Sequence, residues 1–184
     1  MNDIEEVLRL VCNFLNEQNM RYVIVGGIAV MFHGVPRTTV DIDIILDMSD
    51  AELKEFTGFL KREKFNVDYD TMRELIHDGS HSTVFLHEGL IRLDLQGVNS
   101  EFDQETLDRA IEVNYSDCNL RIGSVEDTLI NKLYFQGEQD LRDALGIYAR
   151  HKRELDEVYI AEMCNVLGIL KSWVSFKEKY DDIE

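Results

Sequence analysis

The feature that most constrains this chain is a short apolar run, Tyr22–Val25, broken by Gly26-Gly27 and followed at once by the apolar stretch Ile28 to Phe32. A brief all-apolar run suits a strand buried on both faces, and the glycine pair stops it. The stretch behind the glycines is apolar enough to be a helix packed on that strand. His33-Gly34-Val35-Pro36 then reads as a loop. Val40–Leu46 reads as a second strand, because side chains alternate between its faces: Val40, Ile42, Ile44 and Leu46 share one, Asp41 and Asp43 the other.

The surrounding sequence repeats this mixture. Ile4, Val7, Leu8, Val11 and Leu15 follow helical spacing and predict an opening helix over Asp3–Glu17. Ser49-Asp50-Ala51-Glu52 fits a capping box ahead of Leu53, Phe56 and Leu60. Ser82–His87 and Leu90–Gln96 read as two strands joined at Glu88-Gly89, the second with Asp94 between Leu93 and Leu95. Beyond Gly123 only helical patterns remain: one opened by Ser124-Val125-Glu126-Asp127 and running through Phe135, then others around Ile160 to Leu167 and Leu170 to Val174. The expected fold class is therefore α/β (α+β), with an α/β domain over 1–122 and a helical C-terminal part over 123–184. Its 184 residues suffice for one core without disulfides or structural metal.

Charge narrows the function classes. Nineteen Lys and Arg against 36 Asp and Glu leave a formal charge of −17, a surface that repels phosphate backbones and excludes general nucleic-acid coating. Such a surface favours cationic substrates or partners. Cys12, Cys118 and Cys164 are odd in number and scattered, as expected of free thiols in a cytoplasmic protein. No apolar run approaches the roughly 20 residues a membrane span needs, and Asp3, Glu5 and Glu6 stand where a secretory signal would be basic.

The chemistry concentrates at three carboxylates. Asp41 and Asp43, at i and i+2 on a strand, project to one face with Cα atoms roughly 6–7 Å apart. Paired anionic oxygens at that distance can share hard divalent cations such as Mg²⁺ or Mn²⁺, and without a cation they raise one another's pKa. Asp94 adds a third carboxylate from a separate strand, a set suited to two-metal phosphoryl or nucleotidyl transfer. Gly26-Gly27, between strand and helix, lets the backbone approach a triphosphate while amides at the helix N-terminus point at anions. Taken singly, each feature has a plainer reading: a tight turn, the solvated face of an edge strand, an exposed Asp beside Arg92. Their order along one strand–turn–helix–strand unit is what points to chemistry. His77, His81 and His87 lack metal-site spacing, His33 reads as a loop or packing residue, and Trp173 reads as core.

The segment Val25 to Ile45 resembles the signature of the polymerase-beta-like nucleotidyltransferase superfamily: Gly-Gly, a spacer, Asp-x-Asp, then a carboxylate on a later strand. Gly-Gly-Ile-Ala followed by His-Gly-Val-Pro-Arg-Thr-Thr before Asp-Ile-Asp is most similar to the minimal prokaryotic branch, which includes toxin nucleotidyltransferases of type IV abortive-infection systems. The resemblance covers residues 22–96 well and the helical remainder loosely. It implies that Asp41, Asp43 and Asp94 bind the metals, that Asp94 helps deprotonate the acceptor hydroxyl, and that an NTP is the substrate. Gly27 stands where many members carry Ser, leaving only a backbone amide for a phosphate. Lys132, Arg142 and Asp143 match a Lys and a later Arg-Asp pair that complete the nucleotide site in the related toxins, and Arg37 would stand at the cleft mouth. The acceptor is left open between tRNA, as the toxin-like branch implies, a cationic antibiotic such as an aminoglycoside, and a protein hydroxyl. A cognate toxin or antitoxin partner is also implied, and with it a non-catalytic antitoxin use of the same fold.

Overall fold

The computed structural model describes residues 3–87 and 89–180. The chain opens with helix α1 (Ile4–Glu17), whose first turn is capped by the Asp3 carboxylate accepting from the Glu5 amide, and which buries Val7, Leu8, Val11 and Leu15. Strand β1 (Arg21–Val25) leads directly into α2 (Gly26–His33), and β2 (Asp41–Asp47) follows. The glycine pair is thus the first turn of the helix itself, not a linker ahead of it. His33 closes α2 instead of starting the loop, buried, with its Nε2 2.8 Å from the Gly123 carbonyl oxygen.

Helix α3 (Asp50–Arg62) starts at the expected capping box: the Ser49 hydroxyl accepts from the Glu52 amide, and the Glu52 carboxylate accepts from the Ser49 amide at 2.8 Å. Next come β3 (Phe65–Asn66), α4 (Tyr69–His77), β4 (His81–Leu86) and β5 (Arg92–Gly97). Of the turn expected between the last two strands, Glu88 lies outside the described residues. Helix α5 (Glu101–Asp108) and the hairpin of β6 (Ile111–Tyr115) and β7 (Cys118–Ile122) complete the α/β part. The expected all-helical remainder is α6 (Val125–Phe135), α7 (Glu138–His151), α8 (Glu157–Val166) and α9 (Leu170–Tyr180).

Among the described residues, seven strands form one mixed sheet in the order β3-β4-β5-β2-β1-β7-β6. The centre positions the site. β1 runs antiparallel to β2, while β2 runs parallel to β5 with Asp41 opposite Arg92 and Asp43 opposite Asp94. β4 is antiparallel to β5, placing Thr83 opposite Asp94 and Phe85 opposite Arg92. On one sheet face Ile42, Ile44, Leu93, Leu95 and Val84 join α1, α3 and α4 in a continuous core. The other face carries the acidic side chains of β2 and β5. A second apolar cluster lies within α6–α9, around Leu129, Ile147, Tyr148, Ile160 and Trp173, and takes in Val30 of α2 and Phe102 of α5. Trp173, read as core, is 3% exposed. Among the described residues no helix is long and apolar enough to cross a membrane.

Candidate active site

A cleft of about 510 Å³ opens where the acidic sheet face meets the start of α2 and one side of α6. Its floor is the register of the sheet. Side chains on one face of neighbouring strands stand side by side, so parallel pairing of Asp43 with Asp94 brings two carboxylates together from segments some fifty residues apart. Asp41 follows on the same face of β2.

Each carboxylate has a distinct set of partners. Asp94 is held at both oxygens: the Thr83 hydroxyl donates to Oδ1 at 2.6 Å and Arg92 Nε donates to Oδ2 at 3.3 Å. The other end of the same guanidinium, Arg92 Nη2, donates to Asp41 Oδ2 at 2.8 Å. Asp41 Oδ1 is buried and has no hydrogen-bond partner. Asp43 accepts from the Gly27 backbone amide, yet its carboxyl is pushed up to about 6, first by burial and then by the charges of Asp94 and Asp41, against the opposing pull of Lys132.

The strand-to-helix turn explains its glycines. Gly26 has φ +60°, a left-handed conformation, and a Cβ there would lie 2.0 Å from Asp43 Oδ2. The close approach that excludes a side chain is thus an approach to the acidic pair. At Gly27 a Cβ would meet Thr39 Oγ1 at 3.0 Å, a close but negotiable fit. α2 begins here, so its first amides face the cleft.

The opposite wall comes from the helical part. Lys132, only 6% exposed, donates from Nζ to Asp140 Oδ1 at 2.9 Å and lies 3.6 Å from Asp143 Oδ2. Arg37 grips Asp143 with a two-pronged contact, Nε to Oδ1 at 3.0 Å and Nη2 to Oδ2 at 3.0 Å, joining the β2 side of the cleft to α7. Gln139 donates a further bond to Asp143 at 2.8 Å. Tyr134 and Phe135, both exposed aromatic side chains, complete the wall beyond Lys132.

The structure therefore brings Gly26, Gly27, Arg37, Asp41, Asp43, Asp94 and Lys132 around one cleft. It does not bring Arg142 there. Successive residues of a helix point about 100° apart, and with Asp143 turned inward Arg142 faces out, paired with Glu138 one turn back on α7. Four participants carry no signal in the sequence pattern: Thr83, which reaches Asp94 only through strand pairing; Asp140, which shares Lys132; and Tyr134 and Phe135, which read as ordinary helix residues.

The donor set is entirely hard oxygen, which fits Mg²⁺ or Mn²⁺ and not a thiolate- or imidazole-seeking ion. An orphaned buried oxygen on Asp41 and a carboxyl on Asp43 driven up by burial, and then by the charges of Asp94 and Asp41, both mark a site short of positive charge. Among the described residues, however, no three His, Cys, Asp or Glu side chains stand together as a ready-made ligand set, and Arg92 spans two of the three carboxylates.

A mixed sheet with paired acidic strands facing a glycine turn is the architecture of a nucleotidyltransferase, and the sequence agrees: the family model "Nucleotidyltransferase of unknown function (DUF6036)" matches residues 2–180, and the chain belongs to that family. No curated protein matches the sequence. Among solved structures, an antigenic nucleotidyltransferase-like protein from Paracoccidioides brasiliensis superposes with a TM-score of 0.59 at 15% identity, over 95% of this chain and 91% of that one. The lincosamide antibiotic adenylyltransferase LnuA, solved with lincomycin bound, gives 0.56 at 19% identity over 80% and 98%. A nucleotidyltransferase-type protein from Helicobacter pylori gives 0.52 at 17% identity over 98% and 85%. At such identities the likeness is one of fold.

Proposed function

We propose that this chain is a divalent-metal-dependent transferase that moves a nucleoside monophosphate from an NTP to an acceptor hydroxyl. The observation that carries the reading is the convergence of Asp41, Asp43 and Asp94 on one cleft whose other edge is the glycine-started helix α2. Asp41, Asp43 and Asp94 would hold Mg²⁺ or Mn²⁺, which neutralises charge on the phosphates and on the attacking oxygen.

The chain's own groups account for the remaining work. The amides that open α2 cradle the departing phosphates. Lys132 on the helical side, and Arg37 reaching across to Asp143, offset the charge that accumulates on them. Asp94 takes the proton as the acceptor oxygen bonds to the α-phosphorus and the bond to pyrophosphate breaks. The Thr83 hydroxyl, donating to Oδ1 at 2.6 Å, fixes the orientation in which it does so.

For the acceptor we favour a small hydroxylated cation over tRNA. The net charge of −17 opposes a polyanion, and the three cations by the cleft, Arg37, Lys132 and Arg92, each already contact a carboxylate. The fold neighbour LnuA, an antibiotic adenylyltransferase, lends the same choice support.

The test is transfer of labelled nucleotide from each of ATP, CTP, GTP and UTP, with Mn²⁺ or Mg²⁺, to an aminoglycoside and lincosamide panel, pooled tRNA and cell-extract protein. Label in the small-molecule arm that vanishes in Asp41→Asn supports both halves of the proposal. Label in tRNA or protein alone overturns the acceptor choice and keeps the enzyme, with the toxin-like role then in view. A folded protein that binds no NTP at millimolar concentration in the presence of Mn²⁺ overturns the enzyme reading in favour of a binding module.

A further inference from the structure

The ion pair inside the acidic cleft has a role of its own, and its assignment rests on the metal-dependent reading above. We propose that Arg92 competes with the divalent cation for the cleft, so that loading the metal requires Arg92 to release Asp41 and so sets the cation affinity.

Three observations carry this. First, one guanidinium spans two of the three carboxylates, with Nη2 2.8 Å from Asp41 Oδ2 and Nε 3.3 Å from Asp94 Oδ2. A cation placed between two acids that sit on different strands does what a metal ion does there, and both cannot use the same lone pairs. Second, the two acids are not equally held. Asp94 keeps the Thr83 hydroxyl at 2.6 Å on its other oxygen, whereas the other oxygen of Asp41 has no partner. If Arg92 moves, Asp94 stays oriented while Asp41 turns freely to a new cation. Third, Arg92 is placed to leave. Its side chain is 39% exposed, and its cross-strand neighbour Phe85 is 51% exposed and offers an aromatic face on which a guanidinium can rest.

The arrangement is Arg-specific in one respect. Bridging two carboxylates needs the planar fork of a guanidinium, and a lysine ammonium in the same position is a single point charge. A merely structural salt bridge would behave differently: its loss would loosen the fold and leave metal affinity alone or weaken it.

The experiment is Mn²⁺ titration of the intact protein without nucleotide, followed by calorimetry or by electron paramagnetic resonance of free Mn²⁺. Wild type, Arg92→Gln, Arg92→Lys and Asp41→Asn are compared. Arg92→Gln is expected to bind Mn²⁺ about five- to tenfold more tightly than wild type, the range set by losing two partly exposed charge contacts. Arg92→Lys is expected to fall between the two, and Asp41→Asn to lose binding. In the metal-free protein Arg92→Gln is expected to melt earlier than wild type, with Mn²⁺ restoring it. Equal affinity in wild type and Arg92→Gln, with both lost in Asp41→Asn, overturns the competition and leaves the metal-dependent enzyme standing. Weaker binding in Arg92→Gln also overturns it, because Arg92 would then be assisting the metal. Absence of Mn²⁺ binding in every variant, including with NTP present, overturns the metal-dependent reading and the competition together. If Arg92→Gln fails to fold, the Arg92→Lys comparison decides: affinity no tighter than wild type overturns the proposal.

Discussion

Asp43 should make the metal-free protein less stable than it could be. Its carboxyl stands at about 6 against an ordinary 3.8, chiefly through burial and then through Asp94 and Asp41. At 1.36 kcal/mol per pH unit that gap corresponds to about 3 kcal/mol against the ionised form, and partial contact with water reduces it to about 1–3 kcal/mol. Asparagine keeps the shape and can still accept from the Gly27 amide, but carries no charge. In EDTA at pH 7.5, Asp43→Asn should therefore be more stable than wild type by that amount, or roughly 2–10 °C in Tm for a chain this long. The sign follows from proton linkage: the folded state holds the Asp43 proton more tightly than the unfolded state does, so wild type gains stability as pH falls. The advantage of the variant is then full above pH 6, shrinks as pH is lowered from 6 towards 3.8, and disappears below. Saturating Mn²⁺ should reverse the order, because only wild type binds it well and is stabilised by mass action. Thermal melts over pH 4–8, with EDTA and with Mn²⁺, measure all of this. A variant no more stable than wild type at pH 7.5 in EDTA would refute the claim that this carboxylate is held at a loss for the sake of a cation.

Three further changes probe the same framework. Gly26→Ala combines a left-handed backbone with a Cβ 2.0 Å from Asp43 Oδ2; a loss of about 1–2 kcal/mol from the backbone alone, and at least a hundredfold fall in transfer as Asp43 is displaced, are expected from denaturant melts and the labelling assay. Lys132→Met leaves Asp140 without its cation and Asp143 with Arg37 as its remaining cation. It should raise KM for the NTP about 10- to 100-fold, as expected of a lost charge-assisted contact, with a steady-state titration as the check. Gly97→Ala, at the end of β5, sets a Cβ 2.7 Å from Ile76 Cγ2 and 3.0 Å from its backbone oxygen. It should cost about 1–3 kcal/mol in urea unfolding, the range for an overpacked contact, while nucleotide affinity at low temperature is kept.

Much of this was legible in the sequence wherever one short segment settles the geometry. The strand, the glycine pair and the Asp41/Asp43 alternation lie within about twenty residues, and local periodicity fixes which faces they share. The capping box at Ser49 and the side-chain cap at Ser124 were legible for the same reason, since each is a contact within four residues. What was hidden depends on pairing across long separations. Thr83 meets Asp94, and Arg92 meets Asp41, only through strand registers that no local pattern specifies. The two-residue strand β3 and the half-exposed β6 are too short or too polar to stand out as strands. In sequence Arg142 stands beside Asp143, which turns inward to Arg37, but adjacency along a helix separates side chains instead of grouping them, and Arg142 pairs with Glu138.

Helix α2 is wedged between two hydrophobic interiors, giving Ile28 to one and Val30 to the other. It is short, and the glycine pair forms its first two residues, so the turn has no slack with which to stay in place when either interior loosens. Catalytic competence should then follow the weaker of the two clusters and fail at the onset of the first melting step, with most of the sheet still intact. Hydrogen exchange would register this as amides of α2 opening together with whichever cluster yields first. The nucleotide turn would in that sense report on the state of the whole molecule.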